Sequence, residues 1–127
     1  MNPVSRGYSR NTPAVDGIVI GPGGGEWVRR HRVLAELPAL EVLDLTFGPD
    51  FEGVEPHTHP DHVDSFYVLE GEAEFVLGDD VVRAGPGTYV AAPTGSVHGF
   101  RNVGSGDLRM LNIHGPNTGF AERLRQA

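Results

Sequence analysis

A chain of 127 residues is long enough to bury the core of one domain and too short for two. Its 18 glycines and 10 prolines indicate many turns and argue against a helical bundle. The net charge of −7 disfavours nucleic-acid binding, and the lack of cysteine excludes disulfides, thiolate ligands and thiol nucleophiles. No apolar run reaches the roughly 20 residues of a membrane helix, and no secretory pattern opens the chain. We therefore expect a cytoplasmic protein with no membrane or nucleic-acid partner.

Residues 1–25 are predicted to form an N-terminal arm that carries an edge strand. Residues 1–16 are polar and weakly patterned, and we expect them to be poorly ordered alone. The short apolar segment Ile18-Val19-Ile20 is the strand candidate, and Gly21-Pro22-Gly23-Gly24-Gly25 follows it as a hinge. A strand on such a tether either joins the edge of its own sheet or pairs with a second subunit.

Residues 26–127 are predicted to form a single all-β domain. Short segments rich in Val, Leu, Phe and Tyr alternate with turn residues every 8–12 positions, a pattern typical of sandwiches and barrels. The predicted strand segments are Trp27 to Leu37, Leu40 to Phe47, Val54 to His59, Asp64 to Leu69, Ala73 to Leu77, Val81 to Ala84, Thr88 to Ala92, Val97 to Val103 and Leu108 to His114. Only the tail looks helical, because Phe120 and Leu124 are four residues apart behind a possible Asn117 or Thr118 cap.

Three histidines and one aspartate are candidate metal ligands. His57 and His59 leave the same face of an extended strand roughly 6.5 Å apart, so both rings can reach one ion. Asp64 is five residues further on, which would place it on the opposite face unless the intervening Pro60-Asp61-His62 contains a bend or bulge. His98 arrives on a different strand and can close the coordination sphere.

Three imidazoles and a carboxylate suit one divalent ion per chain, which could be Fe, Mn, Ni, Zn, Cu or Co. The fourth ligand stays open: His62 or water could replace Asp64, and Asp64 could instead orient a histidine from behind. His114 either lines the same cavity or simply closes its strand. His31, within a basic stretch, is interpreted as a surface residue.

These residues fall into two spaced motifs that resemble those of small, single-domain bacterial cupins. The second motif is complete and consists of Gly87, Pro93, Gly95, His98 and Asn102. The first motif is matched by His57, His59, Asp64 and Gly71, with aspartate where the family has glutamate and Phe51 where it has a leading glycine. The resemblance covers about residues 26–124 and implies a double-stranded β-helix barrel with a short C-terminal helix, whose metal is held by His57, His59, His98 and Asp64.

The resemblance also implies a small-molecule ligand or substrate inside the barrel. The leading hypothesis is a metal-dependent, dioxygenase-like enzyme, with a metal-dependent isomerase or lyase as its nearest variant. A non-catalytic module that binds or senses a small molecule is the other alternative. We further expect a homodimer whose interface includes residues near 15–20 and the sheet that carries Leu43, Leu45 and Phe47.

Overall fold

The computed structural model describes residues 17–127, so the expectation for residues 1–16 lies outside the described residues. The described part contains ten strands and one helix. They are β1 (Glu26–Val28), β2 (His31–Leu37), β3 (Leu40–Phe47), β4 (Val54–His57), β5 (Val63–Glu70), β6 (Ala73–Leu77), β7 (Asp80–Ala84), β8 (Tyr89–Ala92), β9 (His98–Asn102), β10 (Leu108–Gly115) and α1 (Phe120–Gln126).

The strands form two antiparallel sheets. The larger sheet has the order β1-β2-β3-β10-β5-β8, and the smaller has the order β4-β9-β6-β7. A core fills the space between them, with Phe66 and Met110 supplied by the larger sheet and Phe75 and Phe100 by the smaller. The predicted all-β barrel is confirmed.

Strand periodicity decides which side chains point into the barrel. Every second residue of β10 is buried, which places Leu108, Met110, Asn112 and His114 on one face. In β5 the buried residues include Asp64, Phe66 and Val68, the inward set expected after a bend at residues 60–62. Residues 58–62 are indeed outside any strand, so the phase of the chain is reset there.

A second, smaller core lies under the C-terminal helix. Leu43 and Leu45 of β3 pack there with Val33 and with Ala121 of α1, and Leu43 has no exposed surface. Arg125 of α1 forms ion pairs with Glu26 of β1 and Glu36 of β2, which connect the helix to the larger sheet. These two side chains are covered within the subunit, so the dimer interface expected on the sheet that carries Leu43, Leu45 and Phe47 stays a prediction and concerns the other face of that sheet.

The N-terminal part differs from the prediction in two places. The segment from Trp27 to Leu37 is split into β1 and β2 by a turn in which Arg29 has a φ of 55°. Ile18, Val19 and Ile20 form no strand among the described residues, and Gly17 beside them makes an isolated bridge. Among residues 17–127, no helix has the length and apolar character needed to cross a membrane.

Candidate metal centre and cavity

Four side chains from three separate parts of the barrel converge on one point. His57 ends β4, His59 follows it, Asp64 lies near the start of β5, and His98 begins β9. Each offers one ligand atom, and these four atoms all lie within 4.8 Å of one another. His57 Nε2 is 2.9 Å from His59 Nε2, and His98 Nε2 is 3.0 Å from Asp64 Oδ2. The structure thus brings together all four predicted ligands.

The tautomers of His57 and His98 are fixed by hydrogen bonds at Nδ1. These bonds determine which ring nitrogen presents a lone pair to the centre. His57 Nδ1 is 2.7 Å from the carbonyl oxygen of Glu55, and His98 Nδ1 is 2.9 Å from that of Ser96. A carbonyl oxygen only accepts, so each Nδ1 carries the proton and donates it. Nε2 then carries the lone pair in both rings, facing His59 Nε2 in the case of His57 and Asp64 Oδ2 in the case of His98.

Such a cluster of lone pairs and negative charge requires a cation between them. Protons can meet this requirement one ring at a time, whereas a divalent ion meets it for all four atoms at once. Imidazole nitrogen and carboxylate oxygen are also the donors that borderline divalent metals accept in proteins. The residues present therefore fit a metal ion.

The two oxygens of Asp64 have different surroundings. Oδ1 accepts a hydrogen bond from Asn112 Nδ2 at 2.7 Å and lies 3.2 Å from His114 Nε2. Oδ2 faces His98 Nε2 and lies 3.6 Å from His59 Nε2. Burial raises the pKa of the Asp64 carboxyl, but the hydrogen bonds from His114 and Asn112 and the charge of His114 outweigh it and lower the pKa to about 2. Asp64 is therefore a carboxylate at any physiological pH.

This low pKa predicts an acid-sensitive contribution to stability. Because the folded-state pKa lies below the ordinary value of 3.8, the contribution is present above pH 4 and is lost as the pH falls through about 2. The shift corresponds to about 2 kcal/mol. Urea unfolding of metal-free protein between pH 5 and pH 2 should show this loss, and Asp64→Asn should flatten it. Equal pH slopes for the two proteins would contradict the assignment.

His62 is buried but stands outside the four-residue group. Its Nδ1 lies 2.8 Å from Asp61 Oδ1, and its ring centroid is 4.2 Å from that of His59. The structure therefore places His62 beside a candidate ligand and outside the group, where Asp64 takes the position for which His62 was the alternative. His114 faces the interior, as its strand parity allowed.

A cavity of about 370 Å³ opens beside the cluster. One wall is aromatic: the Phe47 and Phe51 rings stack with centroids 4.4 Å apart, and the Phe100 ring lies 5.3 Å from that of Phe47. The helix contributes further lining through Phe120, Arg123 and Leu124. Helical spacing marked two of these residues as an apolar pair, but nothing local indicated that they border the site.

His31 also lines this cavity, which corrects its interpretation as a surface residue. Its Nδ1 accepts a hydrogen bond from the backbone N–H of Thr46 at 3.1 Å, so the neutral ring carries its proton on Nε2. Burial and the nearby charges of Arg29 and Arg30 lower the His31 pKa, which favours this neutral form. The cavity therefore holds a neutral donor in addition to its aromatic wall and its ligand cluster.

Comparison with known proteins decides the family. The Cupin_2 family model, described as a cupin domain, matches residues 44–114, which is more than half of the chain. The chain belongs to the cupin family. In this cupin the match includes all four candidate ligands and both predicted motifs.

A curated relative of this cupin is quercetin 2,3-dioxygenase from Bacillus subtilis (strain 168), which is 30% identical over 74 residues. The match covers 56% of this chain but 22% of that enzyme, so the cupin spans about a fifth of its relative.

Solved structures support the fold. KdgF from Halomonas sp. has a TM-score of 0.67 and 24% identity, with 72% of this chain and 81% of that chain covered. A double-stranded β-helix protein from Klebsiella pneumoniae has a TM-score of 0.62 and 23% identity, with 93% and 90% covered. An RmlC-like cupin from Desulfovibrio desulfuricans has a TM-score of 0.57 and 31% identity, with 68% and 80% covered.

Proposed function

We propose that this cupin binds one divalent metal ion through His57, His59, His98 and Asp64 and acts as a dioxygenase-like enzyme on a small organic molecule. The observation that carries the proposal is the convergence of these four donor atoms beside an aromatic cavity of about 370 Å³. The match of this cupin to part of a quercetin dioxygenase supports this reaction class over the isomerase or lyase variant.

The cavity residues suit a flat, largely apolar substrate that carries oxygen. The Phe47, Phe51 and Phe100 rings offer faces and edges against which an aromatic ring can stack. His31 Nε2–H can donate to an oxygen of the substrate at the cavity wall. A metal ion bound by the four ligands would supply Lewis-acid chemistry and, where it is redox active, coupling to dioxygen.

The test begins with protein purified without chelators or nickel resin and analysed for bound elements. The metal-free protein is then loaded separately with Fe²⁺, Mn²⁺, Co²⁺, Ni²⁺ or Zn²⁺ and given quercetin or the smaller diol catechol in air. We expect oxygen uptake and loss of one of these probes with a redox-active ion, little with Zn²⁺, and none in a loaded His98→Ala control.

The outcomes separate the alternatives. Conversion of a probe without oxygen uptake would favour an isomerase or lyase. Tight binding without conversion under any metal would favour a binding or sensing module. A parent protein that takes up no metal would overturn the proposal itself.

We also propose that the cupin forms a homodimer through the outer face of its larger sheet. Tyr67 and Tyr89 lie opposite each other on this face and are 39% and 59% exposed. An apolar groove continues the face near the N-terminal segment and is lined by Ile18, Ile20, Leu34, Leu37, Leu40 and Val42. A second copy offers the same apolar surface in a two-fold arrangement, so each copy can cover the other.

This dimer predicts a change in sedimentation. The parent protein should sediment as a dimer at tens of micromolar, and both Leu40→Lys and deletion of residues 1–21 should shift it toward monomer. Val81→Lys is the matched control, because Val81 is 64% exposed but belongs to β7 of the other sheet. A monomeric parent protein would refute the dimer, and a weakened Val81→Lys dimer would move the interface elsewhere.

A further inference from the structure

A row of three buried, ionisable side chains crosses three neighbouring strands behind the candidate ligands. His114 of β10 lies directly opposite Glu41 of β3 on one side and Asp64 of β5 on the other. Glu41 has no exposed surface, and His114 and Asp64 are 4% and 6% exposed. Two of these residues, Glu41 and His114, are outside the group of candidate ligands.

Both ring nitrogens of His114 face carboxylate oxygens. Nδ1 is 2.8 Å from Glu41 Oε1, and Nε2 is 3.2 Å from Asp64 Oδ1. A carboxylate oxygen accepts and does not donate, so this geometry places a proton on each nitrogen and makes His114 the cation between two anions.

Glu41 is itself fixed by the C-terminal helix. Its Oε1 accepts from the Thr118 hydroxyl at 2.9 Å, and its Oε2 accepts from the backbone N–H of Ala121 at 2.9 Å. The carboxylate is therefore held from both sides, by α1 and by His114. Glu41 thus caps the start of α1 from across the fold. The Thr118 hydroxyl is a second, local cap, because it accepts a hydrogen bond from the Phe120 N–H at 3.2 Å.

We propose that His114, held by Glu41, is a positioning residue for the metal centre. Together with Asn112 it holds Oδ1 of Asp64, so that Oδ2 is the oxygen presented to His59 and His98. Aspartate is one methylene shorter than glutamate, and its reach depends on where its carboxylate is held. The inference rests on the proposed metal site and extends it to two residues that touch no metal.

Stability alone is a poor reason for such a row. Removing three charges from water costs free energy, and the attraction between the charges does little more than offset this cost. Outer partners of metal ligands, in contrast, orient the ligand, and their loss typically lowers metal affinity about 10–100-fold. The positioning role therefore predicts an effect on metal affinity that is separate from any effect on folding.

The experiment measures Co²⁺ affinity by chelator competition, the visible absorption of bound Co²⁺, and urea unfolding of the metal-free protein. His114→Gln should lower Co²⁺ affinity about 10–100-fold and alter the Co²⁺ spectrum. Glu41→Gln should act in the same direction but more weakly, because a neutral His114 can still donate from Nε2 to Asp64.

Two further variants make the test specific. If Glu41 acts through His114, the double variant should bind Co²⁺ no more weakly than His114→Gln alone. Thr118→Val removes a different hydrogen bond of Glu41 and should lower the stability of the metal-free protein while leaving Co²⁺ affinity within about threefold of the parent. If His114→Gln does not fold, Glu41→Gln, which keeps the side-chain shape, carries the test.

The failures are distinguishable. A parent protein that binds no Co²⁺ would refute the metal site and this inference with it. If His114→Gln and Glu41→Gln both fold and bind Co²⁺ with the affinity of the parent protein, the positioning role alone is refuted. Additive losses in the double variant would show that Glu41 does not act through His114.

Discussion

Replacing His98 by alanine should lower metal affinity by more than about 100-fold, the upper range for loss of an outer partner. His98 is buried, its tautomer is set by the Ser96 carbonyl, and its Nε2 faces Asp64 Oδ2 at 3.0 Å. Alanine removes this donor and leaves the other three without their partner from β9. His59→Ala should act similarly, and Asp64→Asn should also weaken binding because it removes the only negative charge among the four. Elemental analysis and chelator competition at pH 7.5 measure these losses.

His62→Gln is the matched control for these variants. His62 is also a buried histidine and its ring is a neighbour of His59, but it lies outside the four-residue group. It should keep close to one ion per chain. Full metal content in both His59→Ala and His98→Ala would rule out the site, and loss of metal in His62→Gln would make His62 a ligand.

Metal binding should also weaken in the parent protein as the pH falls through about 6.5, the ordinary pKa of imidazole, because a protonated ring cannot ligate. Burial and the neighbouring His62 and His57 lower the pKa of His59, which keeps that ring available to somewhat lower pH. Chelator competition repeated between pH 5.5 and pH 8 measures the dependence, and a flat profile would argue against histidine ligands.

Gly71→Ala should destabilise the fold by about 3 kcal/mol or more, with contributions from backbone strain and from a clash. Gly71 has a φ of +88°, in the region that L-residues rarely adopt. An added Cβ would overlap the carbonyl oxygen of Asp107 and lie 3.0 Å from Leu108 Cα, and neither backbone atom can move freely. Urea unfolding of the metal-free protein measures the loss.

Gly87 offers a control with the same backbone angle. Its φ is also +88°, but a Cβ there would meet nothing within 4 Å. Gly87→Ala should therefore cost only the strain, about 1–2 kcal/mol. If Gly71→Ala and Gly87→Ala cost the same, the close approach of residue 107 to residue 71 is not a determinant of stability.

The motif glycines and prolines show how much of the fold can be predicted locally. The turn positions Gly87 and Gly95 have positive φ angles, and turn chemistry marks them without knowledge of the rest of the chain. The alternation of β10 is equally local, and the predicted bounds of β3 are the observed ones. His57 and His59 were predicted as a pair from the period of a strand, although β4 ends at His57 and His59 lies just beyond it.

Other site residues could not be identified in this way. Asn102 was recognised as part of a motif, but its role appears only in three dimensions, where its amide donates to the carbonyls of Phe47, Gly48 and Gly106. His31 was assigned to the surface because its neighbours in sequence are arginines. Its position in the cavity depends on β2 pairing with β3, which brings Thr46 to its ring.

The sequence by itself determined the all-β class, the family motifs and the three candidate histidine ligands, because strand period and turn chemistry act over a few residues. Only the tertiary structure decided that Asp64 completes the cluster, that Leu43 and Leu45 are covered by the helix, and that His114 is held between two carboxylates. Glu41 and His114 are 73 residues apart, and His114 and Asp64 are 50 apart, so their contacts depend on the register of three paired strands. That register is set by burial across the whole barrel, and no short stretch of the chain contains it.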